Sequence, residues 1–432
     1  MHVLYVAWGF PPHRGPGVYR ALATVEHLCS RGHDVTVLTS DTDFFDVVTG
    51  GDRSLVDRID PRVRVLRLPF AAGQREPVVN RWPETRVTSP SSWTSSTRAA
   101  EQATFPENGY AAWRPRIELA AYRLHREHPV DLVVATGNPY VDFAVPALLH
   151  AEFGVPYVLD DRDSWVVNVY TGEPYDAAAV REVWLEPLLA ASLETWFVNP
   201  PIAGWHATRW PEHASRIAVV ENGWDSDFLD PSALPTSSGT APVLGFVGTV
   251  NAGLPLGEIV DGFIAAKADG LDPAAELRIY GGLGHVSGTK EQLDVLARGA
   301  AHGVRHMGRW PKAHIAEAYA ALDALVFAKE GGAMVTSGKV YEYVATGKPI
   351  AGVIEAEHDA RRVLAGYPRA HLAEGQSAQA WALVLRAAAD DAESTDEARR
   401  AAALRTGEAF RRDRILGPAL DRVLATVAGG GA

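Results

Sequence analysis

The sequence predicts an α/β protein made of two doubly wound, Rossmann-like domains. Three observations carry this reading. Short apolar runs of strand length alternate with stretches of helical periodicity along the chain, the pattern of parallel sheets covered by helices on both faces. At 432 residues the chain is too long for one hydrophobic core. A Ser-, Pro- and Thr-rich stretch, residues 226–242, divides the alternation into two halves and reads as a linker. The expected organisation is therefore a domain over residues 1–225, the linker, a second domain over 243–409, and an apolar-spaced tail helix over about 410–432.

Composition removes several function classes. The net charge of −12 argues against a nucleic-acid partner and gives no support for strong attachment to an anionic membrane. Cys29 is the sole cysteine, so an intramolecular disulfide and a cysteine-rich zinc site are both excluded. The chain opens on the strand-like MHVLYVAW and no run approaches the length of a membrane span, from which a cytoplasmic location is expected.

In the first half, residues 2–7 form a continuous apolar run typical of a central parallel strand. The turn Gly15-Pro16-Gly17 follows, then a helix over 18–31 with Leu22, Val25 and Leu28 on one side, Gly32 as its cap, and a strand over 34–39. This βαβ unit lacks the third glycine of the dinucleotide fingerprint, so NAD is not expected. A third strand covers 63–68. Residues 69–115 are rich in Pro, Ser, Thr and Gly with little period, and read as a long loop; Trp82, Trp93 and Trp113 imply that part of it packs. Such a loop either covers an acceptor or is a variable insertion. Helices over 117–128 and 141–152 flank a strand at 131–135. A strand at 155–159 then ends in Asp160-Asp161-Arg162-Asp163-Ser164-Trp165, at the sheet edge where ligands bind. A helix over 182–195 and strands at 196–199 and 217–220 lead to Asn222-Gly223-Trp224-Asp225.

The second half starts with a strand at 243–247 followed by Gly248 and Thr249. Strands at 276–280, 304–307 and 322–328 follow, the first two ending in Gly281-Gly282 and Gly308-Arg309-Trp310, with helices at 258–267, 291–297 and 314–320. A loop holding Gly331 and Gly332 leads to Ser337 and Gly338, which read as a helix start with the Ser337 hydroxyl as N-cap. Val340, Tyr341, Val344 and Ala345 face inward at helical spacing; Gly347 and Pro349 stop the helix before a strand at 350–353. Lys339 sits in the first turn, where a cation opposes the helix dipole unless an anion such as a diphosphate binds there. Glu342 lies one turn on; the plain alternative for these two is an exposed ion pair. Ala- and Arg-rich helices run to the end.

The pattern Lys339-x-x-Glu342-Tyr343-x-Ala345-x-Gly347-Lys348-Pro349 resembles the donor site of GT-B glycosyltransferases, especially glycosyltransferase family 4. The Gly15–Gly17 turn with the following GHDVTVLT, the run from Asp131 to Trp165 and the Asn-Gly-Trp-Asp junction agree with it, in order along nearly the whole chain. The resemblance implies two domains facing a cleft, with the tail helix crossing back onto the first. It implies transfer of a sugar, with retention at the anomeric carbon, from a nucleotide-diphosphate donor to a small-molecule or glycan acceptor. No cofactor other than that donor substrate and no bound metal are expected; the Asp161-x-Asp163 spacing imitates the metal motif of GT-A enzymes, but the surrounding order of elements is wrong for it. By the same resemblance Glu342 takes the ribose hydroxyls. Gly15, Gly17, Gly248, Thr249, Gly331, Gly332, Ser337 and Gly338 lie along the donor, with Arg309 or Trp310 at its base. Lys339, Arg162 and Asp163 are the catalytic candidates. Two departures stand out: Met334 occupies the place of the family's first Glu, and no Arg or Lys lies between Gly248 and Gly257. Glu330 and Lys339 are the substitutes the sequence offers. A nucleotide-sugar epimerase of the same fold and a non-catalytic nucleotide-sugar-binding subunit remain the alternatives.

Overall fold

The computed structural model describes the chain except residues 47–49, 71–75, 77, 237–238, 240, 252, 285–287, 329–331, 333 and 430–432. It divides into two compact units, Met1–Glu221 together with the residues from Leu416 onward, and Asn222–Ile415. The division falls ahead of the Ser- and Pro-rich stretch, which belongs to the second unit.

The first unit holds a sheet of seven parallel strands: β1 (His2–Val6), β2 (Asp34–Ser40), β3 (Arg64–Leu68), β4 (Leu132–Gly137), β5 (Tyr157–Asp161), β6 (Glu194–Phe197) and β7 (Ile217–Val219), in the order β3-β2-β1-β4-β5-β6-β7. β1, β4 and β5 are buried along their whole length, which explains their unbroken apolar runs. The order reverses between β1 and β4, the switch point where doubly wound sheets bind ligands. The helix Gly17–Ser30 follows β1 and buries Val18, Ala21, Val25 and Leu28. It is fastened by Arg20, whose guanidinium makes a bidentate pair with Asp160 at 2.7 and 2.8 Å and also donates to the Glu221 carbonyl at 2.7 Å. Both partners are fully buried, so each charge depends on the other. The last helix, Arg412–Gly429, joins this unit from Leu416 on. Its Asp421 accepts from His27 at 2.8 Å and from Arg31, while Arg422 pairs with Glu194.

The segment expected as a loop is largely helical where described, with Glu84–Thr88 and Pro90–Thr104 both α-helices. Its Ser and Thr content hid the helix. Pro90 occupies the first turn, where its missing N–H costs nothing, and Arg86 lies over the Trp82 and Trp93 rings. The segment's C-terminal part is anchored: Phe105 stacks on Trp165 at 4.8 Å, and the buried Glu107 carboxylate accepts from the Tyr140 and Val141 amides. The expected helix at 182–195 is Ala178–Ala191, because Glu194 and Thr195 are already in β6.

The second unit holds six parallel strands: β8 (Val243–Val247), β9 (Glu276–Tyr280), β10 (Val304–Gly308), β11 (Ala324–Ala328), β12 (Ile350–Val353) and β13 (Ala370–Ala373), in the order β10-β9-β8-β11-β12-β13. The switch point here lies between β8 and β11. The short strand β13 was not expected; its Ala-rich sequence looks like the helices around it. Helix Ala378–Ala392 crosses helix Leu256–Ala268 with Trp381 packed on Gly262, where any side chain would overlap the Trp381 Cβ. Among the described residues no helix is long and apolar enough to cross a membrane.

Candidate functional site

In the second unit the candidate residues gather at the carboxyl edge of the sheet. Gly248 follows β8 with φ +146°, and its amide donates to the Tyr280 carbonyl at 2.7 Å. Gly281 follows β9 with φ +152°, and its amide donates to the Gly308 carbonyl at 2.7 Å. A Cβ on Gly281 would overlap the Gly248 carbonyl, and one on Gly248 would overlap the end of the Lys339 side chain. Close approach of backbone requires glycine at 281, and the left-handed φ requires it at both positions; the Lys339 end beside Gly248 is flexible and could shift. Lys339 is half-buried; its Nζ lies over the Phe246 ring, 4.7 Å from the centroid. Thr249 and Arg309 are exposed, and a Cβ on Gly282 would stand 2.9 Å from Arg309 Nε.

The helix Gly338–Ala345 brings the Lys339-x-x-Glu342-Tyr343 pattern to this edge. Val340, Tyr341, Val344 and Ala345 are buried as expected, and Tyr343 Oη accepts from the Val247 amide at 2.9 Å, tying the helix to the end of β8. The expected Ser337 cap is not formed. Ser337 has the backbone of an N-cap, but the first turn opens on a tight bond from the Val340 amide to the Ser337 carbonyl, and its hydroxyl does not cap the helix. Among the described residues nothing stands where a Cβ on Gly338 would lie, so none of them demands glycine there. Gly332, with φ +80°, accepts at its carbonyl from the Val335 amide; Gly331 and Glu330 lie outside the described residues. Met334 is buried.

Glu342 does not owe its placement to Lys339. Lys312 Nζ donates to its Oε1, and Tyr319 Oη donates to its Oε2 at 2.7 Å. Burial works to raise the Glu342 pKa, but the Lys312 charge and the two hydrogen bonds outweigh it and hold the carboxyl below its ordinary value. Glu342 is thus an ionised carboxylate, fixed in orientation, with 23% of its side chain still open. Trp310 packs edge-on against Tyr280 at 5.3 Å and its indole N–H donates to the His314 carbonyl at 2.8 Å, which fixes the ring beside Arg309.

In the first unit the Gly15–Gly17 turn and the end of β5 come together. Arg162 Nε donates to the Gly137 carbonyl at 3.0 Å and Nη2 to the Asn138 carbonyl at 3.3 Å. A Cβ on Gly17 would overlap its guanidinium. Gly15 instead lies against the His13 ring, which packs on Trp8 and Phe45. Burial, then the Arg162 and Arg14 charges, push His13 down to about 4, so it is neutral near pH 7. Asp163 is exposed and accepts from Asn138 Nδ2 at 3.4 Å. Asp161 is wholly buried, and its carboxyl is raised by burial first and by the Asp163 and Asp160 charges next. The two carboxyls of the Asp-x-Asp spacing therefore have opposite surroundings, Asp161 enclosed and Asp163 in solvent.

Sequence reasoning missed Lys312, Tyr319 and His13. Lys312 and Tyr319 reach Glu342 from 30 and 23 positions away, with no local spacing to mark them.

No family model and no curated protein sequence matches the chain. Solved structures do. Sucrose-phosphate synthase from Thermosynechococcus elongatus superposes with a TM-score of 0.64 at 15% identity over 99% of both chains. A glycosyltransferase from Rickettsia africae gives 0.62 at 14% identity over 99% of this chain and 98% of that one. Anabaena HepE, solved in complex with UDP-glucose, gives 0.59 at 13% identity over 98% of this chain and all of that one. The fold is GT-B. Identities this low speak for the fold and leave the chemistry to the residues.

Proposed function

We propose that the chain is a glycosyltransferase that moves a sugar from a nucleoside-diphosphate donor to an acceptor, without a metal and with retention, as a family 4 enzyme does. The observation that carries this reading is the pair of opposite charges on one short helix. Lys339, in its first turn, lies against the glycine tip of β8, and the ionised Glu342 stands one turn on. A diphosphate at the helix start meets the helix dipole, a full positive charge and an open Gly338; a ribose one turn on meets a carboxylate. Breaking the glycosidic bond leaves extra negative charge on the diphosphate, and Lys339 is the group placed to stabilise it. In the first unit, Gly17, Arg162 and Asp163 form the acceptor-side cluster, with Asp163 the exposed carboxylate available to an acceptor hydroxyl.

The test is a thermal-shift screen with UDP, GDP, ADP, CDP and TDP and their glucose or mannose conjugates in the presence of EDTA, followed by product analysis with any donor that binds. Stabilisation by a nucleoside diphosphate and sugar transfer support the reading. Epimerised donor would make the chain an epimerase, and binding with no turnover over an acceptor panel would make it a binding subunit. No stabilisation by any nucleotide would refute it.

A further inference from the structure

We infer that the outer face of the helix Ala178–Ala191 is a self-association surface, on which a second copy of this chain lays the same helix antiparallel about a two-fold axis near Val183. The inference goes beyond the glycosyltransferase reading, and its test needs no substrate.

The helix buries Ala178, Leu185, Leu188 and Leu189. A surface helix with one buried face normally turns its charged residues outward. This one does not. Its exposed positions are Ala179, Val180, Val183, Glu186 and Pro187, which run as one stripe down the helix, and only Glu186 among them is charged. Val180 is 54% exposed and Val183 73%, more than any other large hydrophobic among the described residues. The other two charges of the helix are half-buried and engaged within the protein. Glu182 pairs with Arg209 at 2.7 Å, and Arg181 Nη1 donates to the Trp165 carbonyl at 2.7 Å with its guanidinium over the Tyr175 ring. Tyr170 and Tyr175 are exposed just before the helix, so the apolar surface extends beyond the stripe. Single exposed apolar residues are ordinary; a run of them on one face marks a contact.

The order of residues along the stripe says what covers it, because the stripe is complementary to itself when reversed. About a centre between positions 183 and 184, Val180 faces the second copy's Pro187 and Val183 lies on the axis. Glu186 then faces the second copy's Arg181. Apolar groups meet apolar groups, and opposite charges meet at the rim, each pair occurring twice by symmetry. An anionic lipid surface fits worse. Glu173 and Asp176 are exposed just before the helix, and Glu212 is exposed beside Glu186, so such a surface would be repelled. A helix of 14 residues spans about 21 Å, which makes a small interface and a dimer of micromolar strength.

The experiment is sedimentation velocity of the full chain over about 1–100 µM, with a thermal melt of each variant as control. Wild type should pass from monomer to dimer across that range. Val183→Glu places an unpaired charge at the centre of the contact and should raise the dissociation constant by about tenfold or more. It should leave the melt unchanged, because the position is exposed. Glu186→Arg should weaken the dimer by about threefold or more. Oxidative cross-linking reads the register, since Cys29 is buried and an introduced thiol is the accessible one. Val183→Cys alone, and Val180→Cys mixed with Pro187→Cys, should form a disulfide-linked dimer. Val180→Cys alone should not, because its two thiols stand about 10 Å apart along the helix, beyond the reach of a disulfide. Leu119→Cys, exposed on the helix Arg114–Glu127, should not either. A wild type that stays monomeric throughout overturns the inference, including one that instead sediments with phosphatidylglycerol vesicles, which would make the stripe a lipid contact. A dimer that Val183→Glu leaves intact overturns it as well, since the contact then lies elsewhere.

Discussion

Lys339→Ala separates a catalytic lysine from a packing one, because the structure makes its effects on folding and on rate very different in size. In the folded protein the ammonium has two opposing local terms. It stands in the first turn of Gly338–Ala345, where the dipole disfavours a cation by roughly 0.3–1 kcal/mol, and it lies over the Phe246 ring, a contact of about 0.5–1 kcal/mol when half exposed. These nearly cancel, so stability should move by less than about 1 kcal/mol. Turnover should not be so spared. Charge on a leaving diphosphate grows toward the transition state, and loss of one charge-stabilising group costs roughly 10²-fold in kcat, or about 2.7 kcal/mol. Because the contact strengthens as the bond breaks, KM for the donor should change only a few-fold. The assay is steady-state kinetics at saturating donor, with a denaturant melt as control. Turnover within a factor of three of wild type would refute the assignment and move attention to Arg162 or Arg309. A large loss of stability that accompanied the rate loss would make Lys339 a structural residue.

Three further outcomes follow. Gly248→Ala puts a methyl where the Lys339 side chain lies, on a backbone with φ +146°, so it should reduce turnover nearly as much as Lys339→Ala, and the double variant should lose little more, as steady-state rates will show. Arg20→Met strands the buried Asp160 and should cost about 3–5 kcal/mol in denaturant unfolding of the first unit, with Arg20→Met/Asp160→Asn recovering part of it. His206 is wholly buried, and burial pushes its pKa down to about 4; the unfolded chain takes up its proton near 6.5, so stability present above that pH is lost as pH falls toward 4. His206→Asn should flatten that loss by on the order of 3 kcal/mol between pH 7 and 4, read from urea melts of the two proteins at each pH.

How much of this was legible in the sequence depended on the range of the interaction. Buried parallel strands announce themselves, because burial on both faces leaves an unbroken apolar run, and β1, β4, β8 and β11 were placed from that alone. Glycine-capped helix ends were equally plain; Gly32, Gly154 and Gly347 all take the left-handed backbone. The helix Pro90–Thr104 was not legible. Only Glu101 of it is buried, so no apolar stripe exists to reveal the period, and Ser and Thr are as common in loops. At the site, Lys339 and Glu342 are local on one helix and could be read as a unit. The partners that set their state could not. Glu342 is held below its ordinary pKa by Lys312 and Tyr319 against its burial, and Asp161 is raised above its own by burial and then by Asp163 and Asp160.

The two sheets share a device that the glycine motifs alone misdescribe. A glycine-rich turn after the central strand is usually taken as room for a phosphate to reach bare backbone. Here, in each unit, the protein's own cation takes up part of that room. Arg162, from the end of β5, lies against Gly17 after β1; Lys339, from the helix after β11, lies against Gly248 after β8. In both cases glycine and cation come from strands on opposite sides of the reversal in strand order, β1 and β5 in one sheet, β8 and β11 in the other. An anion reaching either turn therefore meets a positioned full charge as well as peptide dipoles. Gly248 is held to glycine by its own backbone, at φ +146°, and the end of the Lys339 side chain fills the space a Cβ would take, so the loop residue and the lysine of the neighbouring helix share one volume at the tip of β8.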